Sequence, residues 1–234
     1  MEPVSEQTLK AWYNHHYAAH GRKAMRPKEA YAIFIDLLKV SKGKKLLDIG
    51  CGTGFLLSAA TARGLNTTGM DISDEAVKIA QLESPGSQIE VHTAEDLGFE
   101  EKKFDYITCL GSLEHFLDID KSLQEMKRVT KEDAKFCIMV PNSGYLFWKI
   151  SGKCGTQQQA INERLMSLEA WTATFVRNGF DILEIHPDPW YAKMKLFSSL
   201  NPLGILKRIV YRIVWRFIPL RWTYQFVFIL KKHR

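Results

Sequence analysis

A doubly wound α/β fold is predicted from three observations. Short apolar runs alternate with helically patterned segments for most of the chain, a glycine-rich turn joins the first run to its helix, and the second run closes on an aspartate. Repeated strand–helix units imply parallel pairing, because a parallel neighbour is reached only by a crossover. The 234 residues are 46% hydrophobic and 25% charged, with 15 Gly and 8 Pro. Those proportions belong to a globular protein and exclude collagen, coiled coil and general disorder. The length suits one large core with an appendage.

The stretch to Pro27 is polar and aromatic, with Trp12, Tyr13, His15, His16, Tyr17 and His20. It reads as a helix or flap, and residues 1–27 are expected to be an N-terminal lid over the donor or an exposed amphipathic helix. From Lys28, the apolar residues Ala30, Ile33, Phe34, Leu37 and Leu38 recur at helical spacing. Pro27 suits a first helical turn, and 41–45, Ser-Lys-Gly-Lys-Lys, breaks the helix. Leu46–Ile49 is the first strand, and Phe55–Ala62 the helix behind the glycine turn, stopped by Gly64. Asn66–Met70 is the second strand and ends at Asp71. Ser73 then caps a helix from Glu75 to about Leu82, with acids at its positive end.

Further along, Gln88–His92 is the third strand, Phe104–Leu110 the fourth, Ile119–Val129 a helix and Ala134–Val140 the fifth strand, ended by Pro141 and Asn142. Ser167–Asn178 is helical with Gly179 at its C-terminal boundary. Phe180–Ile185 is the sixth strand and Tyr224–Leu230 the seventh.

The four cysteines, at 51, 109, 137 and 154, have no CxxC or zinc-finger spacing, and no metal site or disulfide framework is expected. The opening residues lack a basic segment followed by an apolar one, so no signal peptide is read. No window supplies ~18 uncharged apolar residues for a membrane-spanning helix. These features predict a reduced, cytoplasmic protein.

The main chemical signal is 46–54, LLDIGCGTG. Gly50, Gly52 and Gly54 allow a sharp turn and close approach of a ligand, at the carboxyl end of the first strand where open α/β sheets bind. A dinucleotide site favours G-x-G-x-x-G with a diphosphate on the helix N-terminus. Here the pattern is G-x-G-x-G, and Asp48 precedes it. A carboxylate there opposes a diphosphate and suits a cation, which argues against a nicotinamide oxidoreductase.

With this turn, GMDIS at 69–73, TAEDL at 93–97, FDYITCLGSLEHF at 104–116 and Val140–Asn142, the chain resembles the class I S-adenosylmethionine-dependent methyltransferases. It is closest to their small-molecule, type 11 branch, and the resemblance spans about residues 28–186. It implies a Rossmann-like sheet of seven strands with the last antiparallel, and S-adenosyl-L-methionine as cofactor. It further implies that the loop Gly50, Cys51, Gly52 and Gly54 packs against the methionine portion and ribose, with Asp48 orienting it and offsetting the ammonium. Asp71 would accept the ribose hydroxyls, and Ile72 would flank the adenine. Glu95 or, by preference, Asp96 would meet the exocyclic amine, and Leu110 and Gly111 would lie beside the sulfonium.

Methyl transfer from a sulfonium needs mainly alignment and desolvation, and proximity can supply ~7–11 kcal/mol. A base is needed only where the acceptor loses a proton. His115, just past the fourth strand, is the candidate catalytic base, because its ordinary pKa lies near neutrality; Glu114 beside it reads as structural. Tyr17, His115, Asn142 and Tyr145 are the candidate acceptor-pocket residues.

About 38 residues separate the sixth and seventh strands, where a hairpin would use 2–5. Within the insertion, 187–222, the segment 204–218 carries Lys207, Arg208, Arg212 and Arg216 on one stripe among bulky aliphatics, Tyr211 and Trp215. After Asp188 the chain has ten basic residues and no acidic one, so the +6 total leaves −4 for the rest. A basic amphipathic helix with interfacial aromatics suits an anionic membrane surface; a cap over the pocket or a dimer contact are the alternatives. Nucleic acid fits poorly, because the interleaved aliphatics need an apolar environment. The expected function is methyl transfer to a small or lipid-linked acceptor at oxygen, on the inner face of a membrane. The alternative is a non-catalytic S-adenosylmethionine-binding scaffold at that surface.

Overall fold

The computed structural model describes residues 4–152, 155, 161–188 and 218–233. The amphipathic segment 204–218 lies outside them except for Ile218.

Seven strands form one sheet: β1 (Lys45–Ile49), β2 (Asn66–Asp71), β3 (Gln88–Val91), β4 (Phe104–Leu110), β5 (Thr130–Pro141), β6 (Phe180–Pro187) and β7 (Gln225–Lys232). Their order is β3-β2-β1-β4-β5-β7-β6. The first five pair in parallel, and β7 runs antiparallel between β5 and β6. The expected seven-stranded mixed sheet is therefore observed.

Helices cover both faces: α1 (Glu6–His20), α2 (Ala32–Leu38), α3 (Phe55–Ala62), α4 (Asp74–Glu83), α5 (Ile119–Arg128), α6 (Leu146–Ser151) and α7 (Leu168–Arg177). The strands read as continuous apolar runs because alternate residues meet different layers. Phe136, Ile138 and Val140 of β5 join Trp171 and Phe175 of α7 in one core. Cys137 and Met139, between them in sequence, join Phe34 and Leu38 of α2 and Leu57 of α3 in the other. Trp171 is fully buried, and its indole N–H donates to the Pro141 carbonyl at 2.9 Å.

Local chemistry sets the helix starts. The Ser5, Ser73, Asp118 and Ser167 side chains each accept from a backbone N–H three residues on. The single helix expected from Lys28 is instead a 3-10 turn, Lys28–Ala30, followed by α2. The fifth strand begins at Thr130, with a register shift opposite Phe104 and Tyr106. The helix α6 carries no clear periodicity in so short a run, and no element is predicted there. Among the described residues, no helix is long and apolar enough to cross a membrane.

Candidate functional site

The site lies at the carboxyl ends of β1, β2 and β4. Leaving β1, the backbone turns through Gly50, Gly52 and Gly54 at φ +68, +52 and +75. All three positions forbid a side chain for a second reason, and at Gly54 a Cβ would stand 2.9 Å from Ala80 Cα. A Cβ on Gly50 would collide with the Ser112 side chain, and one on Gly52 would stand 2.8 Å from the Tyr17 hydroxyl. Asp71, at the end of β2, fastens the turn: Oδ2 accepts from Gly52 N–H at 2.9 Å and Oδ1 from Ser73 N–H at 3.0 Å. Each oxygen keeps a further lone pair for a ligand hydroxyl. Burial raises the Asp71 carboxyl above its ordinary range, and the backbone donors oppose that rise. Asp48 is buried below the turn and accepts from the Thr108 hydroxyl at 2.7 Å. Burial lifts its carboxyl to about 7.

The turn forms the floor of a cleft with about 810 Å³ of empty space, lined at one end by Gly50, Gly111, Ser112 and His115 and at the other by Ile72, Ala94, Glu95 and Phe116. Its roof is α1, through Leu9, Tyr13 and Tyr17. The roof is clasped to the start of α4. Lys10 reaches Asp74 at 3.0 Å, and Asn14 accepts from the Ser73 hydroxyl at 2.7 Å and donates to Asp74 at 3.2 Å.

A second cleft, with about 1240 Å³ of empty space open to solvent, lies across Gly111. Trp12, His20, Arg26, Tyr31 and Tyr224 are among its walls, and His16, Met25 and Gly111 border both clefts. Arg26 is set by Asp188, 2.8 Å from Nη1, and by Gln225, to which Nη2 donates.

At the junction, Gly111 takes φ +68 and its N–H donates to Met139 O at 2.9 Å. His115 lines the first cleft at 4% exposure, with the Tyr13 ring edge-on to it, centroids 6.2 Å apart. Glu114 Oε1 lies 4.0 Å from His115 Nε2, and burial lifts the Glu114 carboxyl to about 8. Burial also pushes the Tyr13 hydroxyl far up, so that it stays protonated.

The structure brings Gly50, Asp71, Ile72, Glu95, Gly111, Tyr17 and His115 to the first cleft. Leu110 faces the second. Cys51 is buried beside the turn, where its thiol faces Gly69. Four residues stand differently from expectation, Tyr145 among them because it lines neither cleft. Asp96 is exposed outside the first cleft and accepts from Gly98 N–H at 3.4 Å. Glu95 borders the cleft, but its Oε1 accepts from Leu117 and Asp118 N–H, at 2.8 and 3.1 Å, which ties down the loop after β4. Asn142 is committed to backbone: its amide donates to Arg221 O and Thr223 O and accepts from Gly144 N–H. Tyr145 is buried against Trp148 and Tyr224, the latter a wall of the second cleft. Sequence reading missed Asn14 and Arg26, because their partners Ser73, Asp74, Asp188 and Gln225 lie far along the chain and leave no local pattern, and it missed Met25, which receives the Tyr17 hydroxyl. Among the described residues, no group of three His, Cys, Asp or Glu is placed to hold a metal ion.

The arrangement suits a nucleoside carrying a cationic chain. A side-chain-free cradle receives the chain, a two-oxygen acceptor meets a diol, and an apolar end takes a flat base. It offers no nest of free amides for a diphosphate, since Gly52 and Ser73 N–H are already given to Asp71.

Comparison with known proteins agrees. A family model described as a methyltransferase domain matches residues 47–138. A ubiquinone biosynthesis O-methyltransferase of Pseudomonas syringae pv. tomato is 31% identical over 174 residues, covering 68% of this chain and 75% of that protein. The protein of the same description from Pseudomonas putida is 42% identical over the same extent, again 68% of this chain and 75% of that one. Among solved structures, a Haemonchus contortus phosphoethanolamine N-methyltransferase in complex with S-adenosyl-L-methionine superposes with a TM-score of 0.64 at 18% identity, covering 98% of this chain and 58% of that one. That likeness concerns the fold.

Proposed function

The chain belongs to the class I S-adenosylmethionine-dependent methyltransferases, and from that premise we propose that it methylates a hydroxyl oxygen on a lipid-linked ring, with His115 as the base. The observation that carries this reading is the meeting of two clefts at His16, Ala24, Met25 and Gly111, with His115 lining the first of them. One cleft suits the donor, and the other, walled by aromatic rings, suits a planar acceptor with an apolar arm. Oxygen as the acceptor atom rests on the relatives named for ubiquinone biosynthesis. The lipid-linked character rests on them and on the basic, aliphatic sequence 204–218, which we assign to an anionic membrane surface. The scaffold alternative gains no support from these relatives.

When bound, S-adenosylmethionine supplies a methyl group already activated on sulfur. The glycine turn and Asp71 hold the nucleoside and its chain. Tyr13 and Tyr17, on the roof, exclude water. His115 takes the hydroxyl proton as the oxygen closes on carbon. A positioned base of this kind contributes about 10²–10⁴-fold.

The test is a labelled-methyl assay on the full chain, with a catechol bearing a short prenyl arm and with ethanolamine phosphate as a contrast. The expected result is labelled ether product, with His115→Gln lowering kcat at least tenfold and leaving S-adenosylhomocysteine affinity within twofold. Label in the amine and none in the catechol would overturn the oxygen reading. Unchanged turnover in His115→Gln would remove His115 from the reaction.

A further inference from the structure

We propose that Glu114 is the positioning residue for His115, the two side chains forming one buried pair that receives the acceptor's proton. The proposal rests on the reading of His115 as base given above. Both residues sit in a single 3-10 turn, Leu113–His115, directly after β4. They are 3% and 4% exposed.

A carboxyl group so deeply buried ordinarily has its oxygens satisfied. Glu114 Oε2 has no hydrogen-bond partner among the described residues. Its other oxygen lies 4.0 Å from His115 Nε2. That oxygen is also 3.8 Å from the place a Cβ would take on Gly111, one of the residues shared by the two clefts. The carboxyl therefore stands behind the base and beside the reacting locus, without lining either cleft.

The groups facing the pair are the following. Tyr13 approaches from α1, and Cys109 from β4; burial raises both well above neutrality, so both stay uncharged. Glu163 raises the Glu114 carboxyl further, and Arg26 pulls it down. At this distance in a water-poor interior, a carboxylate favours the imidazolium strongly.

The proton count follows. The fully deprotonated pair carries one negative charge. His115 removes the acceptor O–H proton, the oxygen's electron pair forms the new C–O bond, and the sulfur–carbon pair returns to sulfur as a neutral thioether. The pair is then neutral overall, with its proton on either member, so no isolated imidazolium is left in the interior. Its titration belongs to both groups together. Burial opposes charge on either member, so a single shared proton offsets the desolvation of both.

Ring-carbon NMR of the full chain saturated with S-adenosylhomocysteine, with His115 assigned through His115→Gln, tests the pair without any acceptor. The wild-type ring is expected to titrate above 6.5, the ordinary histidine value. In Glu114→Gln the midpoint should fall by a full unit, a tenfold loss of proton affinity. A shift below twofold, or a wild-type midpoint under 6.5, overturns the proposal. In turnover, Glu114→Gln should lower kcat at least tenfold at pH 8 and move the acid limb to lower pH, with KM for S-adenosylmethionine unchanged. Glu114→Asp should restore part of the rate. If Glu114→Gln fails to fold, the wild-type midpoint and the Glu114→Asp profile decide. Failure of the wild type to methylate any phenol would strike the oxygen reading alone, because the NMR shift is read independently.

Discussion

Asp48 shows what one residue at this sheet edge costs and supplies. It is buried, and its one side-chain hydrogen bond among the described residues comes from Thr108 at 2.7 Å. Its carboxyl is raised to about 7 by burial, with Asp71 adding to the rise. A folded-state value above the unfolded one means that protonation favours the fold. Stability from this group is therefore gained as pH falls from about 7 towards the unfolded value near 4, and is absent above 7. An amide can still accept from Thr108 and never ionises. Asp48→Asn is thus expected to raise Tm by several degrees at pH 8, on the order of a few kcal/mol, and by much less at pH 5. Thermal scans of both proteins across that interval check it; equal gains at both pH values would refute it. The places of Asp48, Gly50 and Asp71 at the sheet edge were legible in the sequence because they follow from strand ends and the turn between them. Asn142 and Asp96 were not, because a loop residue's role depends on which groups come near. Asn142 finds Arg221 and Thr223, 79 and 81 residues away.

At the scale of elements, α1 was legible as a helix but not in its fastening. Its aromatic side chains announce a covering segment, and the structure sets Tyr13 and Tyr17 over the glycine turn. The clasp comes from Asn14, whose partners Ser73 and Asp74 lie 59 and 60 residues away. Such a polar pairing has no hydrophobic periodicity to betray it. Removing Asn14 takes away two or three hydrogen bonds, each worth about 0.5–1.5 kcal/mol. Asn14→Ala should raise the dissociation rate of S-adenosylhomocysteine by roughly 5–30-fold, with Tm within a few degrees of wild type. Stopped-flow displacement reads the rate, and an unchanged rate would mean that α1 is not the exit. The 3-10 break before α2 and the short α6 were equally beyond sequence pattern, since each is shorter than the window that periodicity needs.

For the whole molecule, the dominant sequence feature is charge separation: ten basic residues follow Asp188, on a body of net −4. An acidic body and a basic, aliphatic appendage together favour one orientation at an anionic surface. Sedimentation with vesicles of phosphatidylcholine and phosphatidylserine should show binding that weakens between 0.1 and 0.5 M salt. Reversing Lys207, Arg208, Arg212 and Arg216 to glutamate should abolish that binding and leave turnover on a water-soluble catechol within twofold. Binding that ignores both salt and charge reversal would sink the membrane assignment.

The placement of β7 carries one more consequence. Among the described residues it is the sole strand paired with β6, and it also pairs with β5. Yet β6 is synthesised first, and everything from Asp188 to Tyr224 must emerge before β7 does. During vectorial synthesis, β6 waits without a mate and β5 presents an open edge. A nascent chain halted before Gln225 therefore lacks two strands rather than one, and the long appendage acts as a timer on the closing of the sheet.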